Sequence, residues 1–253
     1  MLDHLKLVVF DYPKYLPPNN TNQKILSDLL QTKQQSYHLS DERFVSISGL
    51  DFIGTHLMIY DTRSFLQPRL ILSMRNLSDH RTRHHKLKMP TEDYLPALGE
   101  EAIDIFKKFK HNKDPFCESG ALYIDPDYSY KKTGFPLIEV GTMMALNHFI
   151  QNGIFHFAAA TNVTFKSTKW GTAMGTCQKT FIFDHPYICH PHELLLIEPF
   201  NFQWLSQMHS KYFQLWKSRT ELRPDAKYVA APLMSDADLF TFVLQQTQRA
   251  NVA

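Results

Sequence analysis

Glu118-Ser-Gly-Ala-Leu122-Tyr123-Ile124-Asp125-Pro126, followed by Asp127-Tyr-Ser129-Tyr130-Lys131-Lys132-Thr133-Gly134, is the stretch that decides the fold. Residues 119–125 alternate as a strand and are stopped by Pro126, which cannot donate to a ladder. A turn rich in hydroxyl and cationic side chains follows, then a helix predicted from Phe135-Pro136 to about Ile150. Pro136 suits the first helical turn, where a missing N–H costs nothing. A second strand reads as Ile154-Phe-His-Phe-Ala-Ala-Ala-Thr-Asn162. In such a strand–turn–helix unit the amides of the turn and of the helix start face an anion, the geometry of a nucleotide or pyrophosphate reader.

On the N-terminal side, Leu5 to Phe10 reads as a strand and Asn22 to about Tyr37 as a helix with Ile25, Leu26, Leu29 and Leu30 on one face. Phe44-Val-Ser-Ile47 is strand-like. Thr55–Tyr60 and Arg69–Met74 form an expected antiparallel hairpin. The basic, histidine-rich segment Asp79 to Met89 lacks an apolar period and is expected to be an exposed loop, and Leu98 to Lys110 a helix. On the C-terminal side, a short helix is expected within Val163–Gly175 and strands at 179–183 and 193–197. Beyond Phe200 the chain reads as helical. Phe202, Leu205, His209, Tyr212 and Trp216 share a face, and Ser235-Asp-Ala-Asp238 resembles a capping box.

That order predicts an α/β protein of the α+β type, with a mixed, mostly antiparallel central sheet flanked by helices and extra C-terminal helices. Residues 1–200 make the main domain, and 201–253 a helical extension packed on it. Gly-x-Gly-x-x-Gly and P-loop patterns are absent. With 253 residues, 43% of them hydrophobic, the chain buries a sizeable core. Nineteen Phe and eleven Tyr point to a ring-lined pocket or groove. A net charge of +2 predicts no nucleic-acid partner. Three widely spaced cysteines and no long apolar run favour a soluble, cytoplasmic protein without membrane association.

The order of elements and the residues from Glu118 onward resemble the GNAT superfamily of acyl-CoA-dependent N-acyltransferases. In that family an acidic residue often stands near the start of the fourth strand. A turn of the form Arg/Gln-x-x-Gly-x-Gly/Ala then wraps the CoA pyrophosphate. Here Gly134 keeps its place, Ser129 stands for Arg or Gln, and Lys132 stands for the first glycine. The second strand ends in Asn162, as it often does in the family, and Trp170 lies nearest the expected tyrosine of the next helix. A narrower likeness links Asp51–Asp61 and Arg69–Arg75 to the acyl-homoserine-lactone and long-chain N-acyl amino acid synthases.

The resemblance implies transfer of an acyl group from acyl-CoA, or from the acyl-phosphopantetheine of a carrier protein, to a small-molecule amine such as an amino acid derivative. The main chain at Leu122, Tyr123 and Ile124 would receive the pantetheine. Ser129, Tyr130, Lys131, Lys132, Thr133 and Gly134 would meet the pyrophosphate, with Asn162 as a further contact. Glu118 would take the amine proton once burial raised its pKa, and Tyr187 or Tyr130 would return one to the leaving thiolate. Two rival readings stand beside this one. The first is a degenerate GNAT-fold module that binds without turnover. The second is a metal-dependent hydrolase built on His185-Pro-Tyr-Ile-Cys189-His190-Pro-His192-Glu193, although prolines and strand alternation scatter those ligands, so no metal is expected. The sequence leaves oligomeric state open.

Overall fold

A computed structural model describes residues 2–38, 47–63, 67–111, 115–163, 168–185 and 190–250. Eight strands form one sheet in the order β6-β7-β5-β4-β3-β2-β1-β8. They are β1 (Leu5–Asp11), β2 (Thr55–Asp61), β3 (Arg69–Ser78), β4 (Cys117–Ile124), β5 (Phe157–Asn162), β6 (Gly175–Asp184), β7 (Pro191–Phe200) and β8 (Thr220–Leu222). Only β4 with β5 and β1 with β8 run parallel. This is the expected mixed, mostly antiparallel α/β architecture.

The helices are α1 (Asn20–His38), α2 (Gly49–Ile53), α3 (Asp79–His84), α4 (Pro90–Tyr94), α5 (Glu100–His111), α6 (Tyr130–Thr133), α7 (Leu137–Gln151), α8 (Thr168–Met174), α9 (Phe202–Lys217) and α10 (Asp236–Ala250). Strand alternation divides them between two faces. On one face Val8, Phe10, Met58, Tyr60 and Leu70 pack with Leu29 of α1, while Leu77, Ala158, Leu194 and Leu196 pack with Met89, Tyr94 and Phe106 around α4 and α5. On the other, Leu7, Val9, Leu57, Ile59, Phe157, Leu195 and Ile197 pack against α7, α9 and α10.

Helix α7 is buried along almost its whole length because it lies between the sheet and α9. Gly141 lets it sit down on β3, since a Cβ there would come within 3.0 Å of Leu72 Cδ1.

The short helices α2 and α4 were not expected, and three further segments depart from the sequence reading. The basic stretch after Asp79 is not all loop: it opens with α3, which turns Asp79, Thr82 and the Asp11-paired Arg81 inward and leaves His80, Arg83 and His84 outside. Helix α7 begins at Leu137, two residues after the predicted start, because Gly134 adopts φ +66° and ends a separate single turn, α6. Strand β8, three residues long, was not foreseen; it adds to β1 beside the C-terminal helices. Residues 44–46 of the strand-like Phe44–Ile47 lie outside the described residues.

Candidate active site

The sheet opens where β4 should zip onto β5. Pairing begins with Glu118 opposite Ala158 and Ser119 opposite Ala159, and then ends. Beyond that point β4 stays registered only with β3, as far as Ile124 opposite Leu72, while β5 stays registered only with β7, as far as Asn162 opposite His192.

A bulge accompanies the parting. Ser73 lies opposite Tyr123 and Arg75 opposite Gly120, so a single β3 residue faces both Ala121 and Leu122. Ala121 takes φ +51°, a left-handed conformation uncommon for a residue with a Cβ. The result is a V-shaped cleft whose β4 edge offers main-chain groups to a ligand. The three alanines of β5, residues 158–160, keep side chains small along the opposite arm.

Glu118 sits at the floor of the cleft, 4% exposed, on the face that carries α1 to α5. Its Oε1 accepts from the Thr91 N–H at 2.9 Å and from Thr91 Oγ1 at 2.5 Å, and the Tyr94 hydroxyl lies 3.4 Å away. Its Oε2 is buried without a partner. Burial lifts the carboxyl to about 7, the donors of Thr91 opposing that rise. Two residues along the same face is Gly120, where a Cβ would find no atom within 4 Å. Open space therefore lies at Gly120, two residues along β4 from the buried carboxylate.

Arg75, across from Gly120 on β3, leans the other way. Its guanidinium donates to Asp51 Oδ1 at 2.7 Å, and its stem lies on Gly54, where a Cβ would come within 2.7 Å of Arg75 Cγ. Lys33 of α1 completes that cluster by pairing with Asp51. The arrangement ties α1, α2 and β3 together beside the cleft.

Of the residues foreseen as main-chain contacts, Leu122, Tyr123 and Ile124 form the freed arm of β4. They also line a trough of about 870 Å³ between that arm, Lys24, Asp28 and Gln31 of α1, and Arg69 at the start of β3. Ser129 to Gly134 are folded into the α6 turn. There the amides of Lys132 and Thr133 donate to the Ser129 carbonyl and that of Gly134 to the Tyr130 carbonyl, so these three are spent internally. The Lys132 ammonium pairs with Asp127 at 2.8 Å, and Asp127 also holds Arg69 at 2.9 Å. Lys131 and Tyr130 are exposed.

Tyr187 and Cys189 lie outside the described residues. Of the histidine-rich stretch, His185 and His192 approach ring to ring at 4.7 Å, while Glu193, next to His192 on β7, projects to the opposite face. Among the described residues no group of three or more His, Cys, Asp or Glu side chains is placed to hold a metal ion.

Thr91 and Tyr94 were missed in the sequence. Their signal was a helix start, Pro90-Thr-Glu-Asp, with proline in the first turn and acids behind it.

No protein-family profile matches the chain. No curated protein sequence matches it either. Several solved structures are similar in course. FeeM, an N-acyl amino acid synthase from uncultured soil microbes, is 10% identical with a TM-score of 0.48, over 76% of this chain and 90% of that one. BjaI, a CoA-dependent acyl-homoserine lactone synthase solved with SAM and isopentyl-CoA, is 11% identical with a TM-score of 0.49, over 95% and 99%. A ribosomal-protein-S5-alanine acetyltransferase from Vibrio fischeri is 10% identical with a TM-score of 0.42, over 79% and 95%.

Proposed function

We propose that the protein is an N-acyltransferase that moves an acyl group from a CoA or carrier-protein thioester to the amine of a small molecule, such as an amino acid derivative. The observation that carries this reading is the fork between β4 and β5 with a buried, half-partnered carboxylate at its floor. A fork exposes main-chain donors on the β4 arm to a linear amide chain and to the thioester oxygen, where negative charge develops during attack. A thioester laid along the β4 arm would bring its carbonyl to the point where β4–β5 pairing ends, beside Glu118.

In the reaction the amine nitrogen bonds to the carbonyl carbon, the C–S bond breaks, and the thiol leaves. Glu118, with a pKa near 7, takes the proton that the amine gives up. Return of a proton to sulfur is assigned to Tyr187; Tyr130, exposed on the turn, belongs to the diphosphate end of the donor, a pantetheine arm away from the sulfur.

The diphosphate would be met by Ser129, Tyr130 and Lys131 rather than by the whole turn, since the Leu137 and Glu139 amides that open α7 donate to the Phe135 and Pro136 carbonyls. Lys132 would join them on leaving Asp127, and Asn162 would contact the donor from the end of β5. The amides spent at Lys132, Thr133 and Gly134 favour a second reading, a GNAT-fold module that binds a ligand without turnover.

Calorimetric titration with acyl-CoA and with acyl carrier protein, followed by thiol release in the presence of an amine panel, separates the two. Transfer predicts binding of one donor and amine-dependent thiol release, with weaker CoA binding in a Lys131→Ala, Lys132→Ala double variant. Binding without release supports the module, and no binding of either donor ends the transfer reading.

A further inference from the structure

The two oxygens of Glu118 differ in a way that the transfer reaction alone does not require. Oε1 receives the N–H and the hydroxyl of Thr91, and Thr91 Oγ1 in turn lies 2.9 Å from the Tyr94 hydroxyl. With the Thr91 hydroxyl donating to the carboxylate, its oxygen accepts from Tyr94, so two O–H dipoles run in line toward Oε1. Oε2 is equally buried and receives nothing.

Both donors stand on α4, which is rigidly held. Thr91 is fully buried, and Tyr94 stacks on Phe183 with ring centroids 4.8 Å apart. The Met89 N–H donates to Glu92 Oε2 at 2.8 Å, and Lys110 of α5 pairs with the other Glu92 oxygen at 2.6 Å.

We infer that Thr91 and Tyr94 are positioning residues for the transfer: they fix Oε1 so that Oε2 is the atom that accepts the amine proton, and they set the pH at which it does so. This rests on the reading of Glu118 as the base. An oxygen whose lone pairs already face donors cannot take a further proton without losing one of those bonds, whereas Oε2 has none to lose. Donors to a carboxylate also favour its charged form, so their removal drives the group toward protonation.

The groups acting on Glu118 from around it are Arg75 of β3, Glu92 and Tyr94 of α4, and its strand neighbour Cys117. Lys110 neutralises Glu92 from α5, and the burial-raised thiol of Cys117 stays uncharged at working pH. Arg75, the cation among them, is held by Asp51 and favours the ionised carboxylate with or without the Thr91 hydroxyl, so removal of that hydroxyl moves the midpoint by what the hydroxyl itself supplied.

The test is the pH dependence of kcat/KM and of kcat for acyl transfer, in the full chain, for wild type, Glu118→Gln, Thr91→Val, Thr91→Ser and Tyr94→Phe. The rate rises with pH as the base ionises. Thr91→Val is expected to move that rise upward by about one pH unit, Tyr94→Phe by less, and Thr91→Ser to restore the wild-type position. KM for the amine should change little, because neither side chain is assigned to substrate. Loss of rate at every pH without movement of the midpoint would assign Thr91 a structural role and overturn the inference, as would a Thr91→Ser midpoint equal to that of Thr91→Val. If Thr91→Val does not fold, Tyr94→Phe decides: an unmoved midpoint overturns the proposal. Glu118→Gln distinguishes the two levels. Full activity in that variant removes the base itself, whereas a dead Glu118→Gln beside an unmoved Thr91→Val removes only the positioning role.

Discussion

Asp51 and Glu118 are both buried carboxylates on one face of the same sheet, and their surroundings prepare them for opposite tasks. Asp51 is 0% exposed and engaged on both oxygens: Lys33 and Arg75 reach Oδ1, and the Ser48 N–H donates to Oδ2 at 2.9 Å. Burial pushes its pKa up, but Arg75, Lys33 and the Ser48 amide together outweigh burial and hold it below the ordinary value. Glu118 contacts no cation and has one oxygen unused, so burial prevails and lifts it to about 7. A charge fixed at all working pH values serves as a strut between elements. A group poised to change its charge is suited to proton transfer.

The largest effect is expected at the strut. Asp51→Ala leaves Lys33 and Arg75 buried without their shared counter-charge and should cost about 3–5 kcal/mol in urea unfolding. A loss under about 1 kcal/mol would mean that the cluster does not fasten α1 and α2 to the sheet.

The two carboxylates should also answer pH with opposite sign. For Glu118 the folded pKa lies above the unfolded one, so the native state holds the extra proton and stability falls as pH rises from about 4.5 to about 7. That rise is worth on the order of 3 kcal/mol, so Glu118→Gln should melt above wild type at pH 8 and level with it at pH 4. Asp51 has a lowered folded pKa, so its contribution is present above the unfolded pKa and fades as pH falls through the folded one. Thermal melts of Asp51→Asn should therefore approach wild type only in acid.

Smaller effects sharpen the contrast. Gly54→Ala places a Cβ against the Arg75 stem that the strut needs, and should cost about 1–3 kcal/mol by chemical denaturation. Lys132→Ala removes an exposed partner of an exposed carboxylate, Asp127, and should leave the urea unfolding midpoint indistinguishable from wild type.

Much of this geometry was legible in the sequence because it is written in local pattern. Alternation and a closing proline gave β4, and the acidic residue before the alternation was Glu118. Periodicity gave α5 and α9 with their buried faces, whereas α7 was read from Pro136 at its start and the strands on either side. What stayed hidden depends on long-range contact. Thr91 and Tyr94 sit on a five-residue helix too short for a period, and their role appears only when α4 folds against β4 from 27 and 24 residues away. The positive φ of Ala121 carries no glycine or asparagine to announce it. The turn at 129–134 reads equally as an open loop or as a closed helical turn, and only the φ of Gly134 decides for the latter.

The most direct test of the account is the pH profile of acyl transfer by wild type and by Glu118→Gln, followed as thiol release from acyl-CoA with an accepted amine. A rate that rises through a midpoint near pH 7 in wild type, and falls by about 10²-fold or more in the variant, is the predicted result. A Glu118→Gln enzyme that keeps the wild-type rate and the same midpoint would contradict it.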